Sequence, residues 1–336
     1  MKKARQNVLG PSEQDEVVRG QGRGKVILLG EHAVVYGHPA LAAALDRGAE
    51  VELRRLPAEK GTENLEDRLV SPLPMLNARR PAADVLSEVG RGHPQVGQAF
   101  RALLEVFSER VLGIELAIRL DIPPGIGLGG SAAAGIAIAS AVARFLDRAD
   151  DEQRIESAAL AWERVFHGTP SGVDTALALH GGVGLYEKAH GLKRLELRES
   201  IHLAIANSGA KTSTREMVES VAEARKKDRA KVDRILEAIG ALVRAGVEAL
   251  EKNDLHRLGK AMNEDHAYLR ELRLSTPRLE TLREAALQQG ALGAKLTGSG
   301  GGGAMIALAR SKDHAAAIAS SLAQLAFDTS FHELRS

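Results

Sequence analysis

Residues 123–146, PPGIGLGGSAAAGIAIASAVARFL, constrain this chain more than any other stretch. Two prolines close an extended segment. Gly125, Gly127, Gly129 and Gly130 leave a bare loop, and Ser131 opens an alanine-rich helix. Without a Cβ, glycine lets backbone N–H groups approach a ligand closely or adopt positive φ. The helix behind the loop points its unpaired N–H groups and the positive end of its dipole back at it. Such a junction suits an anion, phosphate above all. Ser131, at the expected cap position, serves either the backbone or, through its hydroxyl, a metal ion. A tight turn with a serine cap is the plainer reading of one Gly-Gly-Ser. Glycine this dense ahead of an apolar helix favours phosphate.

The loop is not a P-loop, because no lysine follows its glycines. It matches G-x-G-x-x-G at Gly125, Gly127 and Gly130, and Gly298, Gly300 and Gly303 match it again. Two matches in one chain show how little the pattern says alone. A dinucleotide site also needs a strand ending in an acidic residue about 20 positions on, and residues 147–166 read as helix. The dinucleotide oxidoreductase is therefore a runner-up.

The 336 residues make one large domain or two moderate ones. Aromatic residues are only 3% of the chain, so the core must rest on Ala, Leu, Val and Ile. Basic and acidic residues balance at 45 to 44, which leaves no electrostatic footprint for nucleic acid or an anionic membrane. With no cysteine there are no disulfides, thiolate metal sites or thiol nucleophiles. Residues 1–24 are polar and carry no signal-peptide pattern, and the apolar helix after Ser131 reads as buried. The expectation is a cytoplasmic protein.

Residues 24–29 read as a short buried strand ending in Gly30-Glu31-His32. Lys25, Glu31 and His32 are then either solvated strand ends or site residues. Residues 40–45 and 50–56 follow, the latter an alternating strand, and 57–81 form an exposed excursion. A helical stripe occupies 94–112 and an alternating strand 114–120. Residues 152–166 form an amphipathic helix with Glu163 flanking its apolar face, where a solvated carboxylate is the plain reading. Ser171-x-x-Asp174 fits a capping box, which makes Asp174 a first-turn carboxylate. Residues 181–186 and 195–197 form a hairpin, with a domain boundary near 190–200. Beyond it come a strand at 201–206, charged amphipathic helices to Asn253 and a helix over 255–272. Thr276-Pro277 caps the next helix. Gly293 to Leu308 reads strand, glycine turn, strand, with backbone packed where side chains have no room.

Three separated segments, GKVILLGEHAVVYGHPALA, PPGIGLGGSAA and KLTGSGGGGAMIAL, resemble the motifs of the GHMP small-molecule kinases. HGTPSGVDTALALHGG and NEDHAYLRELRLST resemble the same family, and the likeness spans residues 24–308 in order. It implies an α/β (α+β) fold of two domains, 1–195 and 196–336, with the active site in the cleft between them. ATP phosphates would rest on Pro124, Gly125, Gly127, Leu128, Gly129, Gly130 and Ser131. Mg²⁺ would be held by Ser131 and Glu163, in keeping with the few protein oxygens that magnesium takes beside phosphates. Asp174 would take the proton of the substrate hydroxyl with Lys25 assisting. Lys25, Glu31, His32, Asp174 and Thr214 would face the substrate.

The run Gly30-Glu31-His32-Ala33-Val34-Val35-Tyr36-Gly37 is similar to the branch that phosphorylates the 5-hydroxyl of mevalonate, in isoprenoid precursor synthesis. The alternatives are a kinase for a related alcohol such as phosphomevalonate, or a non-catalytic nucleotide sensor. The resemblance is compatible with a homodimer. Two departures stand out. Gly129-Gly130-Ser131 keeps only the second serine of the usual Gly-Ser-Ser, and Ser299 stands where alanine is common.

Overall fold

The computed structural model describes residues 17–55, 94–107, 114–123, 125–168, 170–210 and 213–336. Pro124 and the excursion expected over 57–81 lie outside the described residues.

A long antiparallel pair opens the chain, β1 (Val17–Leu29) and β2 (Ala40–Arg55). The expected strand began only at Gly24. Residues 19–24 instead alternate exposed and buried, with Gly20 and Gly22 facing inward. That alternation is a strand whose inner side chains are missing for a reason. A Cβ on Gly20 would lie 1.9 Å from Ala137 O, and one on Gly22 2.1 Å from Ala133 O. The backbone of the alanine-rich helix rests directly on β1 there.

β2 merges the two expected segments into one 16-residue strand. Its second half pairs with β3 (Ile114–Leu120), and its first half with β4 (Val183–Glu187). β5 (Gly191–Arg194) completes the hairpin with β4, at 191–194 rather than the expected 195–197. The turn closes early, because His190 N donates to Glu187 O and Gly191 takes φ +75°. The second sheet runs β7 (Gly293–Leu296), β8 (Ala304–Ala309), β6 (Ile201–Asn207), β9 (Asp328–Leu334), all antiparallel.

Helices α1 (Pro94–Val106), α2 (Gly130–Phe145), α3 (Glu152–His167) and α4 (Val173–His180) belong to the first sheet. α2 is buried without a break from Ala132 to Ala143, as an all-round apolar helix must be. Gly135 admits the Trp162 ring of α3, which a Cβ would meet at 2.8 Å. Among the described residues no helix is long and apolar enough to cross a membrane. Of the helices that follow, α5 (Thr214–Lys227) lies on α6 (Arg229–Glu251), α6 lies on α7 (Leu255–Glu271) and reaches β1 and β2, and α7, α8 (Pro277–Gln288) and α9 (Lys312–Leu322) pack on the second sheet. Thr276 caps α8 as expected, its Oγ1 accepting from Leu279 N at 3.3 Å.

One apolar cluster joins the halves, with Val26, Leu28 and Leu41 meeting Leu203, Ile205 and Ile306. Thr297 is a polar clasp inside it: Oγ1 accepts from Ile27 N at 2.9 Å and donates to Ile27 O at 3.1 Å. The free edge of β7 is satisfied by α7. Asn263 Oδ1 accepts from Ala294 N, and His266 Nδ1 accepts from Leu296 N. An edge strand so covered offers no template for another chain.

Candidate active site

The glycine loop between β3 and α2 lies against β1 on one side and the β7–β8 turn on the other. Lys25 N donates to Leu128 O at 2.9 Å. Gly129 has φ +74°, and a Cβ there would lie 2.8 Å from Lys25 Cγ. Gly127 has φ +86°, and its Cβ would lie 2.9 Å from Thr297 O; a Cβ on Gly298 would come within 3.0 Å of Gly127 Cα. The two glycine-rich turns therefore meet backbone to backbone, which is what the density of glycine in both implied.

Ser131 is not the helix cap. Gly129 holds that position with no side-chain cap bond, and Ser131 sits within the first turn. Its carbonyl accepts from Trp162 Nε1 at 3.1 Å. Its hydroxyl is thereby free of the cap and turned toward Glu163. Glu163 is buried, not solvated, since α3 packs this face onto α2. Burial pushes its carboxyl up to about 7 and the Asp174 charge adds to this, while the Ser131 hydroxyl and Lys25 pull it down. Glu163 Oε1 has no hydrogen-bond partner.

Lys25, from β1, and Asp174, from α4, form an ion pair at 3.2 Å. The lysine side chain is 4% exposed and the aspartate 33%, so the carboxylate is the open partner. The capping box is absent. Gly172, at φ +90°, caps α4 without a side-chain bond, and Ser171 O accepts from Tyr186 Oη at 2.7 Å. Asp174 is left to Lys25.

A second group lies where the turn after β1 meets the β7–β8 turn. His32 is buried with φ +59°, and its Nε2 donates to Ser299 O at 2.9 Å. Burial holds its ring below the usual imidazole range, with the Ser299 carbonyl opposing. Ser299 Oγ stands 3.5 Å from Thr214 Oγ1, at the start of α5. The reading of Lys25, Glu31 and His32 as solvated strand ends does not hold, because all three are buried.

The structure thus gathers Lys25, Asp174, Ser131 and Glu163 beside Gly125, Gly127, Leu128, Gly129 and Gly130. It gathers His32 and Thr214 about Ser299. The Glu31 carboxylate joins neither group and turns inward to Lys295. His167 was missed: its Nε2 lies 3.7 Å from Glu163 Oε2, and burial lowers its ring with Lys25 and Arg215 assisting and Asp174 opposing. The i,i+4 spacing from Glu163 was the available signal. Among the described residues no group of three or more His, Cys, Asp or Glu side chains has metal-holding geometry. Among the described residues Ser131 and Glu163 offer side-chain oxygens beside the loop that Lys25 does not claim, and Glu163 Oε1 is an orphaned buried atom. That set fits magnesium, which draws its remaining ligands from phosphate and water.

Comparison with known proteins bears on the family and the fold. The GHMP kinases N terminal domain model matches residues 95–182, and the GHMP kinases C terminal model residues 247–327. The chain belongs to the GHMP kinase family. Within that family it is 34% identical to a mevalonate kinase of Pyrococcus furiosus, over 88% of this chain and 90% of that one. It is 35% identical to the mevalonate kinase of Thermococcus gammatolerans, over 89% and 91%. The crystal structure of L. major mevalonate kinase in complex with R-mevalonate superposes with a TM-score of 0.79 at 27% identity, covering 97% of this chain and 98% of the other.

Proposed function

We propose that this chain transfers the γ-phosphoryl group of ATP to the 5-hydroxyl of mevalonate, giving 5-phosphomevalonate and ADP. The observation that carries the chemistry is the Lys25–Asp174 pair, an open carboxylate held by a buried ammonium beside the glycine loop. The mevalonate kinases to which the chain is similar over most of its length support the substrate.

Phosphoryl transfer asks the protein mainly for positioning and charge stabilisation. The loop from Pro124 to Ser131 and the N-terminus of α2 receive the phosphates. Asp174 accepts the hydroxyl proton as the oxygen attacks phosphorus, and Lys25 orients that carboxylate. Ser131 and Glu163 are the residues that would hold Mg²⁺; when bound it supplies charge neutralisation on the phosphate oxygens. His32, Thr214 and Ser299 line the mevalonate side, with Glu31 supporting them from behind. Residues 1–195 form the N-terminal domain and 196–336 the C-terminal one. In support, the strands of the first sheet end at Arg194 and those of the second begin at Ile201.

An ADP-release assay across mevalonate, phosphomevalonate, homoserine and galactose tests this. Turnover of mevalonate well above the other three is expected. Faster turnover of another acceptor, or of none, overturns the assignment.

A further inference from the structure

Lys295 of β7 is wholly buried between two carboxylates that are distant in sequence. Its ammonium bonds Glu31 of the turn after β1, stands 3.1 Å from Asp265 Oδ2 of α7, and donates to Leu296 O at 2.9 Å. All three side chains have zero exposure. One ammonium cannot neutralise two carboxylates, and the interior does not tolerate a surplus bare charge. Glu31 Oε2 and both Asp265 oxygens have no hydrogen-bond partner, Asp265 Oδ2 meeting Lys295 only as an ion pair. One extra proton, shared by the two acids, resolves the imbalance.

The cluster sits on a seam that is fastened three times. Ile27 is clasped by Thr297, Glu31 by Lys295, and His32 by Ser299. His32 at φ +59° holds a backbone conformation that survives only where its surroundings over-determine it. The middle fastening anchors the residue just before it.

We propose that Lys295 and Asp265 are positioning residues for phosphoryl transfer: with one shared proton they fix the Glu31–His32 turn and so the His32–Ser299–Thr214 wall. This rests on the reading of that wall as the mevalonate side. Loss of the proton leaves two charged carboxylates on one ammonium in a dry site, and the turn gives way. Burial pushes Glu31 from its ordinary 4.5 up to about 8, with Lys295 opposing and Asp265 adding; burial also raises Asp265. Lys295 and Asp265 are the charged side chains acting on Glu31. His266, beside Asp265, is held down to about 4 by burial and stays neutral against Glu280 of α8, near Arg283; His32 is likewise lowered. Folding therefore takes up a proton between 4.5 and about 8. The stability so contributed is complete below 4.5 and is lost as pH rises through 8.

Asp265→Asn removes the surplus charge and keeps the shape. Urea unfolding between about pH 5 and pH 9 should show wild-type stability falling with pH and a markedly flatter profile in the variant. The wild-type kcat/KM for mevalonate should fall above about pH 8 with KM for ATP steady, and Asp265→Asn should keep its rate there. Lys295→Met should lower kcat/KM for mevalonate far more than affinity for ATP, and Lys295→Arg should recover part of it. Superimposable stability profiles for wild type and Asp265→Asn overturn the shared proton. A stability difference with identical rate profiles overturns the positioning role. Should wild type not phosphorylate mevalonate, the functional reading falls, and the unfolding profiles still decide the proton.

Discussion

The Lys25 ammonium stands 3.2 Å from Asp174 Oδ1 because two local irregularities aim the side chains at each other. The β1–β2 register shifts between Arg23 and Lys25, and such a bulge re-aims the side chain that follows it. Opposite it, α4 begins on a left-handed glycine, Gly172, which leaves the Asp174 carboxylate unclaimed by the helix end. Strand and helix thus deliver a buried cation and an open carboxylate to the same point.

Asp174→Asn keeps the size of the side chain and cannot accept a proton. It should lower kcat by at least about 10²-fold, the span of a general base, while ATP affinity stays close to wild type. Lys25→Met should lower kcat as well. The double variant should lose less than the product of the two, since both residues serve one proton transfer. Near-wild-type turnover by Asp174→Asn would require another base.

His32→Ala and Thr214→Ala should raise KM for mevalonate with little change in KM for ATP. Both contact Ser299, away from the Lys25–Asp174 pair in the bonds they make. Steady-state kinetics with each substrate varied in turn separates the cases. Equal effects on both substrates would indicate a packing defect instead of a lost contact.

Gly127→Ala tests the contact between the two glycine turns. The position has φ +86°, and the added Cβ would lie 2.9 Å from Thr297 O. Left-handed backbone alone costs a non-glycine residue about 1–2 kcal/mol, and the clash adds to it. A lower unfolding midpoint and weaker ATP binding should appear together. Gly130→Ala is the control, because among the described residues its Cβ would meet only Ile122, no nearer than 3.7 Å. It should fold as wild type does.

What the sequence revealed and concealed follows from the range of the interactions. The phosphate-type loop was legible because its glycines answer to local backbone geometry. So were α8, whose Thr276-Pro277 cap is a local signal, and β3, whose alternation is intact. The start of β1 was concealed because Gly20 and Gly22 present no side chains to alternate; only the approach of α2 explains them. Ser131 and Ser171 were expected at caps from their residue type, whereas Asp174 does stand in the first turn of α4 as its spacing implied. Gly129 and Gly172 took the cap positions through left-handed backbone that a polar-residue pattern does not mark. Glu163 looked like the flank of a solvated helix, and its burial depends on where α2 lies. Nothing local couples Glu31 to Lys295, which are 264 residues apart.

Glu163 ties the metal prediction to pH. Its carboxyl is pushed up to about 7, mainly by burial, so it is protonated below that value and ionised above it. A protonated carboxyl is a poor ligand for a hard cation, so magnesium should be held more weakly at about pH 6 than at pH 8. The magnesium concentration for half-maximal rate should accordingly fall as pH rises through 7. Glu163→Gln should raise that concentration and remove its pH dependence through this window. Ser131→Ala should raise it too and leave the fold intact, since the hydroxyl makes no cap bond. Magnesium titrations of the three proteins at both pH values measure this, with direct magnesium binding in the presence of ADP as a readout independent of turnover. Identical magnesium requirements in all three would remove the ion from Ser131 and Glu163 and leave their pairing a packing feature of α2 and α3.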